Sequence, residues 1–315
     1  MRAASSFRTA VRLGSGSTAE QVLRGTDLTG TTSLVTGANS GIGAETARVM
    51  ANAGARVIMT SRDVAAGEAA AAVIRRQGAK GAVVVKRLDL ADLRTVRALA
   101  EDVQDSEDRL DRLILNAGIM ACPLSYTQQG FEIQMGVNHF GHWLLTSMLL
   151  DKMRAQASPS RIVSLSSAAE VIAGGIDFED MHWRHKKYQT WRAYSQSKLA
   201  NLLMVKELSQ RLRGSQVSAY SIHPGVVATN LARHLFSAQL PPWIIPFMPF
   251  IKSVQQGAAT SVYAATAAEL DGQSGAYLDN CKIARPSAAG QDLNLAAKLW
   301  LSTGEQIETA MRMQL

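Results

Sequence analysis

The chain has few of the signals that mark disulfide-bonded, zinc-binding or membrane-spanning proteins. Its 315 residues include only two cysteines, Cys122 and Cys281, far apart in the sequence. Two distant thiols form neither a disulfide framework nor a zinc site, and they indicate a reducing compartment. No run reaches the ~18 to 20 apolar residues that cross a bilayer. We therefore expect no structural metal, no disulfide scaffold and no membrane span.

Charge narrows the partners only slightly. The formal net charge is +7, which suits a phosphate-bearing ligand or an anionic surface. The chain has no basic run and no nucleic-acid motif, so we expect no nucleic-acid partner. Arg2, Arg8 and Arg12 stand near the start without an acid, a composition that fits an organelle transit peptide or an ordinary N-terminal arm. We predict a cytoplasmic protein, with organelle import or membrane-surface association as alternatives.

Continuous apolar runs alternate with helical patterns along most of the chain. Strands are predicted at 32–36, 55–60, 82–89, 110–115, 160–166, 216–223 and near 276–278. Helices are predicted at 18–24, 43–53, 64–77, 92–106, 136–156 and 193–213. Such alternation is typical of a parallel sheet buried on both faces. The sequence therefore predicts a single-domain, doubly wound α/β (Rossmann) fold with a mainly parallel seven-stranded sheet and helices on both faces.

A glycine-rich turn, residues 36–43, joins the first predicted strand to the next helix. Its glycines allow a tight turn and close approach of a pyrophosphate, while the helix N-terminus offers free N–H groups. The spacing is G-x-x-x-G-x-G and not G-x-G-x-x-G, so the strand-turn-helix context carries the prediction. The predicted cofactor contacts here are Gly37, Asn39, Ser40, Gly41, Ile42 and Gly43.

The second predicted strand ends in Thr60-Ser61-Arg62, where many NAD-binding domains carry an acid for the ribose hydroxyls. An acid would repel a 2′-phosphate, whereas Arg62 can hold it through a charge-assisted fork. The sequence thus favours NADP(H) over NAD(H). The alternative is a solvated turn residue paired with Asp63.

Polar residues also follow the third and fourth strands. Asp89 either accepts from an adenine amino group or caps the following helix. Asn116 precedes Ala117 and Gly118, a small pair that lets the backbone pass beside a ribose, although such an Asn can also bond its own turn. Asn138 stands in a stretch that is otherwise typical of a helix, although Asn disfavours helix interiors. It marks either a local kink that holds a water or the cap at the start of a helix.

Three further side chains have the chemistry of proton transfer. Ser167 closes the fifth predicted strand, where a hydroxyl points into the ligand crevice of a parallel sheet. Tyr194 and Lys198 are four residues apart and share one helix face. A nearby ammonium favours the phenolate and brings its pKa down toward the working range. Alone, the pair also fits a surface helix with an aromatic and a charge.

In their order and spacing, these pieces resemble the short-chain dehydrogenase/reductase family over about residues 28–285. The shared pieces are the glycine turn, Asn116-Ala117-Gly118, Ser167, Tyr194-x-x-x-Lys198 and the Pro-Gly segment 224–229. The resemblance implies that Tyr194 is the catalytic acid/base and Ser167 the donor to the substrate oxygen. It also implies that Lys198 binds the ribose and lowers the tyrosine pKa, and that Asn138 holds a proton-relay water. The implied cofactor contacts beyond the turn are Arg62, Asp89, Leu90, Asn116, Ala117, Gly118, Tyr194, Lys198, Pro224, Gly225, Val227 and Thr229.

Within that family, the chain is most similar to the branch of retinol dehydrogenases, WW-domain-containing oxidoreductases and light-dependent protochlorophyllide reductases. The similar stretches are 27–30, 116–123, 137–142, 194–201 and 255–258. We expect an arm at 1–27 without a WW module, followed by the family domain at 28–315. The insertion between Ser167 and Tyr194, with His182 and His185, is predicted to be a solvated loop and not a metal site.

An apolar, proline-broken stretch at 240–251 lies where the family has a substrate lid, at about 230–255. A lid of this kind implies an apolar substrate, although the stretch could also rest on a membrane surface or form a subunit contact. The resemblance implies NADPH-dependent hydride transfer between the nicotinamide and a hydrophobic carbonyl or alcohol. The alternatives are a cofactor-binding scaffold or sensor and a light-dependent protochlorophyllide-type reductase. A homodimer or homotetramer is expected through the helices predicted at 136–156 and 193–213.

Overall fold

The computed structural model describes residues 13–227 and 251–313. Within these ranges, one sheet of eight strands runs in the order β3-β2-β1-β4-β5-β6-β7-β8. The strands are β1 Thr32–Val35, β2 Arg56–Ser61, β3 Val83–Arg87, β4 Arg112–Leu115, β5 Ser160–Leu165, β6 Val217–His223, β7 Tyr277–Asp279 and β8 Lys282–Ala284. All neighbours are parallel except β7 and β8. The predicted doubly wound α/β fold is confirmed.

Helices connect and flank the strands. They are α1 Ala19–Leu23, α2 Gly41–Asn52, α3 Val64–Arg76, α4 Leu93–Ser106, α5 Ile133–Met135, α6 Gly141–Ala155, α7 Thr190–Arg211, α8 Val254–Thr266, α9 Ala288–Gln291 and α10 Leu293–Arg312. Across the described ranges, every helix falls short of the length or apolarity that a bilayer span requires. The strand order reverses between β1 and β4, and ligands of such sheets bind in the crevice at that switch point.

The core is two apolar layers, one on each face of the sheet. Successive strand residues point to opposite faces, so Leu34 and Leu113 enter one cluster of buried side chains. Their neighbours Val35 and Ile114 enter the other. All four side chains are fully buried, which explains why these strands read as continuous apolar runs. The sheet is therefore a rigid base for the loops at its carboxyl edge.

The prediction of seven strands is wrong by one. Strand β8 pairs antiparallel with β7 through a two-residue turn, in which Asn280 (φ 53°) and Cys281 (φ 57°) are both left-handed. Asn-Gly is the usual sequence signal for such a turn, and a buried cysteine in the second position carries no such signal. The strand itself has only three residues, and Lys282 and Ile283 are exposed, so no apolar run marks it.

The segment predicted as an N-terminal arm contributes to the core. Helix α1 lies within the helix predicted at 18–24, and Ala19 and Leu23 are buried in the same cluster as Ala258 and Val262 of α8. Thr18 caps α1 through a reciprocal capping box. The described part of the arm therefore packs on the domain.

The insertion before Tyr194 is only partly solvated, because some of its residues pack on the domain while others are exposed. Trp183 is only 8 % exposed. The Nδ1 of His182 accepts from the Glu132 N–H (3.2 Å), while its Nε2 lies 2.8 Å from Gln306 Oε1. These contacts fasten the insertion to α10 and to the residues before α5. His185 is exposed, as expected.

Helix α10 covers part of α6 and α7, the helices through which subunits are expected to pair. The rings of Trp300 and Trp143 are 4.9 Å apart, and the Arg211 guanidinium lies 4.9 Å from the Trp300 ring. Thr303 Oγ1 lies 3.0 Å from His139 Nε2. This part of the surface is occupied by the chain itself. The homodimer or homotetramer stays a prediction.

Replacing Trp300 with alanine should lower the free energy of unfolding by about 2 to 3 kcal/mol, because it leaves a cavity against Trp143. Leu301→Ala is the matched control, because the Leu301 side chain on the same helix is 58 % exposed. Its expected effect is within about 0.5 kcal/mol. Urea denaturation measures both. Equal losses in the two variants would contradict the docking of α10.

Candidate active site

The glycine turn between β1 and α2 leaves no room for a side chain at Gly37 or Gly43. Gly37 (φ 64°) and Gly41 (φ 56°) are left-handed. A Cβ at Gly37 would lie 2.9 Å from Ala117 Cβ, and one at Gly43 would lie 2.4 Å from Asn116 Nδ2. Ser40, at the cap of α2, forms no side-chain capping hydrogen bond. The N-terminus of α2 therefore offers its N–H groups at this edge of the sheet, beside the half-buried side chains of Asn39 and Ile42.

Asn116 ties this turn to the end of β4. Its Nδ2 donates to the carbonyls of Thr36 (2.8 Å) and Gly37 (3.3 Å), so it bonds the neighbouring turn and not its own. Farther along, a Cβ at Gly118 would lie 3.1 Å from Asn138 Oδ1 and 3.5 Å from Lys198 Nζ. The strip from Asn116 to Gly118 thus runs between the glycine turn and the candidate catalytic groups.

Arg62 is exposed directly after β2, at the carboxyl edge of the sheet. The carboxylate of Asp63 accepts from the Ala66 N–H (3.1 Å) and caps α3. Asp63 is thereby used as a helix cap, which weakens the alternative that it serves as the partner of Arg62.

Asp89 is not the cap of the helix that follows β3. Asp92 caps α4, and Asp89 Oδ1 accepts from the Ala91 N–H (3.0 Å) in a turn of its own. Leu90 is buried, and a Cβ at Gly141 would lie 2.8 Å from its Cδ2. Asp89 therefore stays half-buried at the edge of the crevice, while Leu90 packs against the start of α6.

Asn138 stands in a π-helical turn, Gly136–Phe140, between α5 and α6. The Gly141 N–H donates to the Gly136 carbonyl, five residues back, and the extra residue in the turn marks a local departure from α geometry. Asn138 Oδ1 accepts from the Ile119 N–H (2.8 Å). Its Nδ2 donates to the Ile119 carbonyl (2.9 Å) and to Ser197 Oγ (2.9 Å). The kink is present, and Asn138 is not a helix-start cap.

Both N–H groups of the Asn138 amide are thus occupied. A relay water could bind only through a lone pair of Oδ1 or of the main-chain carbonyl. The proton-relay water therefore remains a prediction, and the contacts of this side chain are those of a structural clamp on Ile119.

Ser167, Tyr194 and Lys198 meet beyond the end of β5. Ser167 Oγ accepts from the Ala169 N–H (3.2 Å), and the Ser167 side chain is close enough to Tyr194 to lower the pKa of its phenol. The Lys198 ammonium donates to the Leu165 carbonyl (3.0 Å) and lies 5.7 Å from the centre of the Tyr194 ring. The predicted trio is brought together.

Burial sets the protonation of this trio. Tyr194 is only 4 % exposed, and its desolvation raises the phenol pKa to about 12, while the neighbouring Ser167 side chain acts in the opposite direction. Desolvation also lowers the pKa of Lys198 to about 8. The net shift of the Tyr194 pKa is upward, and desolvation is its largest cause; the lowering of this pKa by Lys198 stays a prediction. At neutral pH the phenol keeps its proton, so the trio contains a proton donor.

The Pro-Gly segment follows β6 at the same edge. Gly225 is left-handed (φ 90°), and Val227 pairs with Lys252 in a parallel bridge. Pro224 is half-buried between β6 and this glycine. Thr229 and the part of the predicted lid at 230–250 lie outside the described residues. Ser253 caps α8, which begins at Val254, so helix starts within the last residues of the approximate range given for the lid; the lid itself stays a prediction.

Two polar residues at this edge were not predicted. The Lys252 ammonium donates to Asn280 Oδ1 (2.6 Å), and a Cβ at Gly225 would lie 2.8 Å from Lys252 Cδ. His142, fully buried in α6, lies 2.9 Å from Thr36 across the sheet edge. Neither has a local motif, although a histidine on the apolar face of a predicted helix is a signal that sequence inspection could use.

Known proteins are similar to this chain over most of its length. The family model described as short chain dehydrogenase matches residues 31–178. Retinol dehydrogenase 13 of Mus musculus is 46 % identical over 289 residues, covering 90 % of this chain and 85 % of that protein. Retinol dehydrogenase 12 of Homo sapiens is 45 % identical over 273 residues, covering 87 % and 85 %.

Solved structures agree in fold. A crystal structure of an uncharacterized protein from Mycobacterium paratuberculosis has a TM-score of 0.72 at 37 % identity, covering 90 % of this chain and 95 % of that one. The RhlG/NADP active-site complex of Pseudomonas aeruginosa has a TM-score of 0.62 at 26 % identity, covering 84 % and 98 %.

Proposed function

Because this chain belongs to the short-chain dehydrogenase family, we propose that it is an NADP(H)-dependent oxidoreductase acting on a hydrophobic carbonyl or alcohol. The observation that carries the proposal is the meeting of Ser167, Tyr194 and Lys198 beyond the end of β5, where the buried Tyr194 ring has Ser167 and the Lys198 ammonium beside it. The trio lies at the same sheet edge as the glycine turn. A proton donor next to a dinucleotide cradle suits carbonyl reduction.

The cradle fits a dinucleotide. Side chains at Gly37 or Gly43 would fill the space between the turn and the strip after β4. The α2 N-terminus would bind the pyrophosphate through N–H groups and its positive dipole end. Gly118 leaves room for the ribose beside Lys198. When bound, the nicotinamide would exchange a hydride with the substrate carbon.

Arg62 supports the preference for the 2′-phosphate. Its exposed guanidinium follows β2, where the second strand of NAD-binding domains carries an acid for the ribose hydroxyls. A guanidinium there forms charge-assisted hydrogen bonds with a phosphate. The name of the RhlG complex places NADP in that relative, which supports the same choice.

In the reductive direction, Tyr194 would donate its phenolic proton to the substrate oxygen. The Ser167 hydroxyl would donate a second hydrogen bond to that oxygen, and both would stabilise the charge that develops there. The phenolate left behind would be favoured by the Lys198 ammonium and would regain its proton from solvent through Lys198. Since the pKa of Tyr194 is about 12, the protonated donor is the abundant form at neutral pH, which favours reduction.

Apolar side chains near the site support a hydrophobic substrate. Val171 (60 % exposed) and Ile172 follow Ser167 in the chain. Val226 lies within the Pro-Gly segment, and Ile251 (48 % exposed) precedes Lys252, which pairs with Val227. An apolar ligand would remove this surface from water. Relatives named as retinol dehydrogenases suggest long apolar aldehydes and alcohols as the substrate class. Membrane contact through 240–251 remains a prediction.

Reduction of aldehydes of increasing apolar length, followed at the nicotinamide absorbance in the dark, tests the proposal. We expect NADPH to be oxidised, with kcat/KM rising with chain length, and NADH to be a poorer donor. Turnover in darkness would separate this function from a light-dependent reductase. Tight NADPH binding without turnover of any aldehyde or ketone would favour a scaffold or sensor instead.

The pH profile of reduction should fall above pH of about 8. Since burial lowers the pKa of Lys198 to about 8, its ammonium is present below that pH and is lost as the pH rises through it. The phenol remains protonated throughout this range. Initial rates with NADPH at saturating aldehyde measure the profile, and Lys198→Arg, if folded, should lose this limb. A rate that rises between pH of about 8 and 10 would contradict the assignment.

A further inference from the structure

Three fully buried polar residues form a chain behind the glycine turn. Thr36 Oγ1 accepts from the Ala117 N–H (2.9 Å) and lies 2.9 Å from His142 Nε2. His142 Nδ1 lies 3.0 Å from the main-chain carbonyl of Asn138. Thr36, Asn138 and His142 are all 0 % exposed. Buried polar groups are costly unless paired, so each of these contacts has a definite role.

Only one arrangement of protons satisfies the chain. The Asn138 carbonyl can only accept, so His142 Nδ1 must carry a hydrogen. Burial lowers the pKa of His142 to about 4, and the Lys198 charge acts in the same direction, so the ring is neutral and Nε2 is an acceptor. Thr36 has two acceptors within reach, His142 Nε2 at 2.9 Å and the Ile114 carbonyl at 3.4 Å. The shorter contact, and the need of a neutral Nε2 for a donor, place its hydroxyl hydrogen on Nε2 while it accepts from the Ala117 N–H.

The chain closes into a ring. Asn138 holds the Ile119 N–H and carbonyl, two residues beyond Ala117. Ala117 is bound to Thr36, which is bound to His142. His142 is bound back to Asn138. The end of β1, the strip after β4 and the π turn are thereby linked through hydrogen bonds, of which the two made by His142 are buried.

We propose that His142 is a positioning residue, which holds the glycine turn and the strip beside it in register with Asn138 and the catalytic trio. The proposal rests on the proposed NADP(H) function. His142 touches none of the groups that would meet the substrate, and it acts through Thr36 and the Asn138 carbonyl. Without His142, the glycine turn and the strip after β4 would no longer be held in a fixed position relative to Asn138.

Two removals and two conservative replacements test this role. Thr36→Val and His142→Leu remove the hydrogen bonds at similar volume, and each should lower kcat by about 10-fold and weaken NADPH binding several-fold. Thr36→Ser keeps the hydroxyl and should stay within about 2-fold of wild type. His142→Gln, whose amide can donate to Asn138 and accept from Thr36, should recover part of the loss.

The double variant Thr36→Val/His142→Leu should be hardly worse than the worse single variant, because both break one chain. A purely structural role would instead lower the melting temperature and leave kcat per folded, NADPH-binding molecule unchanged. That outcome would overturn the proposal, as would additive losses. If His142→Leu fails to fold, Thr36→Val against Thr36→Ser decides the same question.

A readout without turnover separates this inference from the proposed function. In ¹⁵N spectra of the wild type, His142 should be neutral with its proton on Nδ1, and amide exchange at Ala117 should speed up in Thr36→Val. A proton on Nε2, or unchanged exchange, would overturn the ring itself. A wild type that neither binds NADPH nor reduces aldehydes would overturn the proposed function, and the positioning role with it. An active wild type with unimpaired variants would overturn the positioning role alone.

Discussion

Replacing Tyr194 with phenylalanine should lower kcat for aldehyde reduction by at least about 10³-fold, combining the loss of the general acid with the loss of a hydrogen bond to the developing oxyanion. The ring keeps its place, because its contacts include the edge-on packing against Trp191, 6.1 Å between ring centres. NADPH binding should therefore change by no more than about 2-fold. Steady-state rates and fluorescence titration with NADPH measure the two quantities.

Tyr188→Phe is the matched control. This second phenol is half-buried, and its hydroxyl lies 2.8 Å from both Glu132 Oε1 and Gln134 Nε2. Its loss should cost about 1 to 2 kcal/mol of stability but leave kcat within a few-fold. If Tyr194→Phe retained substantial turnover, or if both variants lost activity alike, the role given to Tyr194 would be wrong.

Replacing Arg62 with aspartate should reverse the cofactor preference. The change removes a charge-assisted hydrogen bond to the 2′-phosphate and places a like charge beside it, so NADPH should bind about 100-fold more weakly. The new carboxylate can accept from ribose hydroxyls, so NADH binding should hold or improve. Dissociation constants for both cofactors, measured at one salt concentration, give the ratio directly.

Arg76→Asp makes the same change of charge at the other end of α3, where Arg76 is also exposed. It controls for the long-range effect of two units of charge, which salt screens beyond about 10 Å. Both cofactors should bind it nearly as tightly as they bind the wild type. Equal weakening of NADPH and NADH in Arg62→Asp, or the same loss in Arg76→Asp, would contradict the 2′-phosphate assignment.

The parts of the fold that the sequence predicted are those with a strong local pattern. Strands such as Ile162-Val163 read as continuous apolar runs because both faces of the sheet are covered. The glycine turn can be recognised in the sequence because a Cβ at Gly37 or Gly43 would come too close to neighbouring atoms, so only glycine fits at these positions. Local pattern and tertiary demand coincide at these positions.

What the sequence did not predict depends on contacts between distant segments. Strand β8 forms because Asn280 and Cys281 turn the chain back on β7, and the docking of α10 depends on Trp300 meeting Trp143. The packed part of the insertion depends on His182 finding partners far away in the chain. No local sequence pattern in the segments concerned indicates these contacts.

The site shows the same division. The residue types at Ser167, Tyr194 and Lys198 indicated their chemistry, and the structure places them together. The upward net shift of the Tyr194 pKa was not predicted, because spacing on a helix reports a nearby charge and says nothing of how deeply the phenol is buried. The sequence also could not show that the Asn138 amide is fully engaged.

Transfer of deuterium tests the central claim most directly. The protein would be incubated with a long-chain aldehyde and with NADPH in which both hydrogens of the reactive nicotinamide carbon are replaced by deuterium, and the alcohol product analysed by mass spectrometry and NMR. The account predicts one deuterium on the carbinol carbon of each product molecule, and no product from Tyr194→Phe. Product without deuterium, or tight NADPH binding with no product from any carbonyl compound, would contradict it.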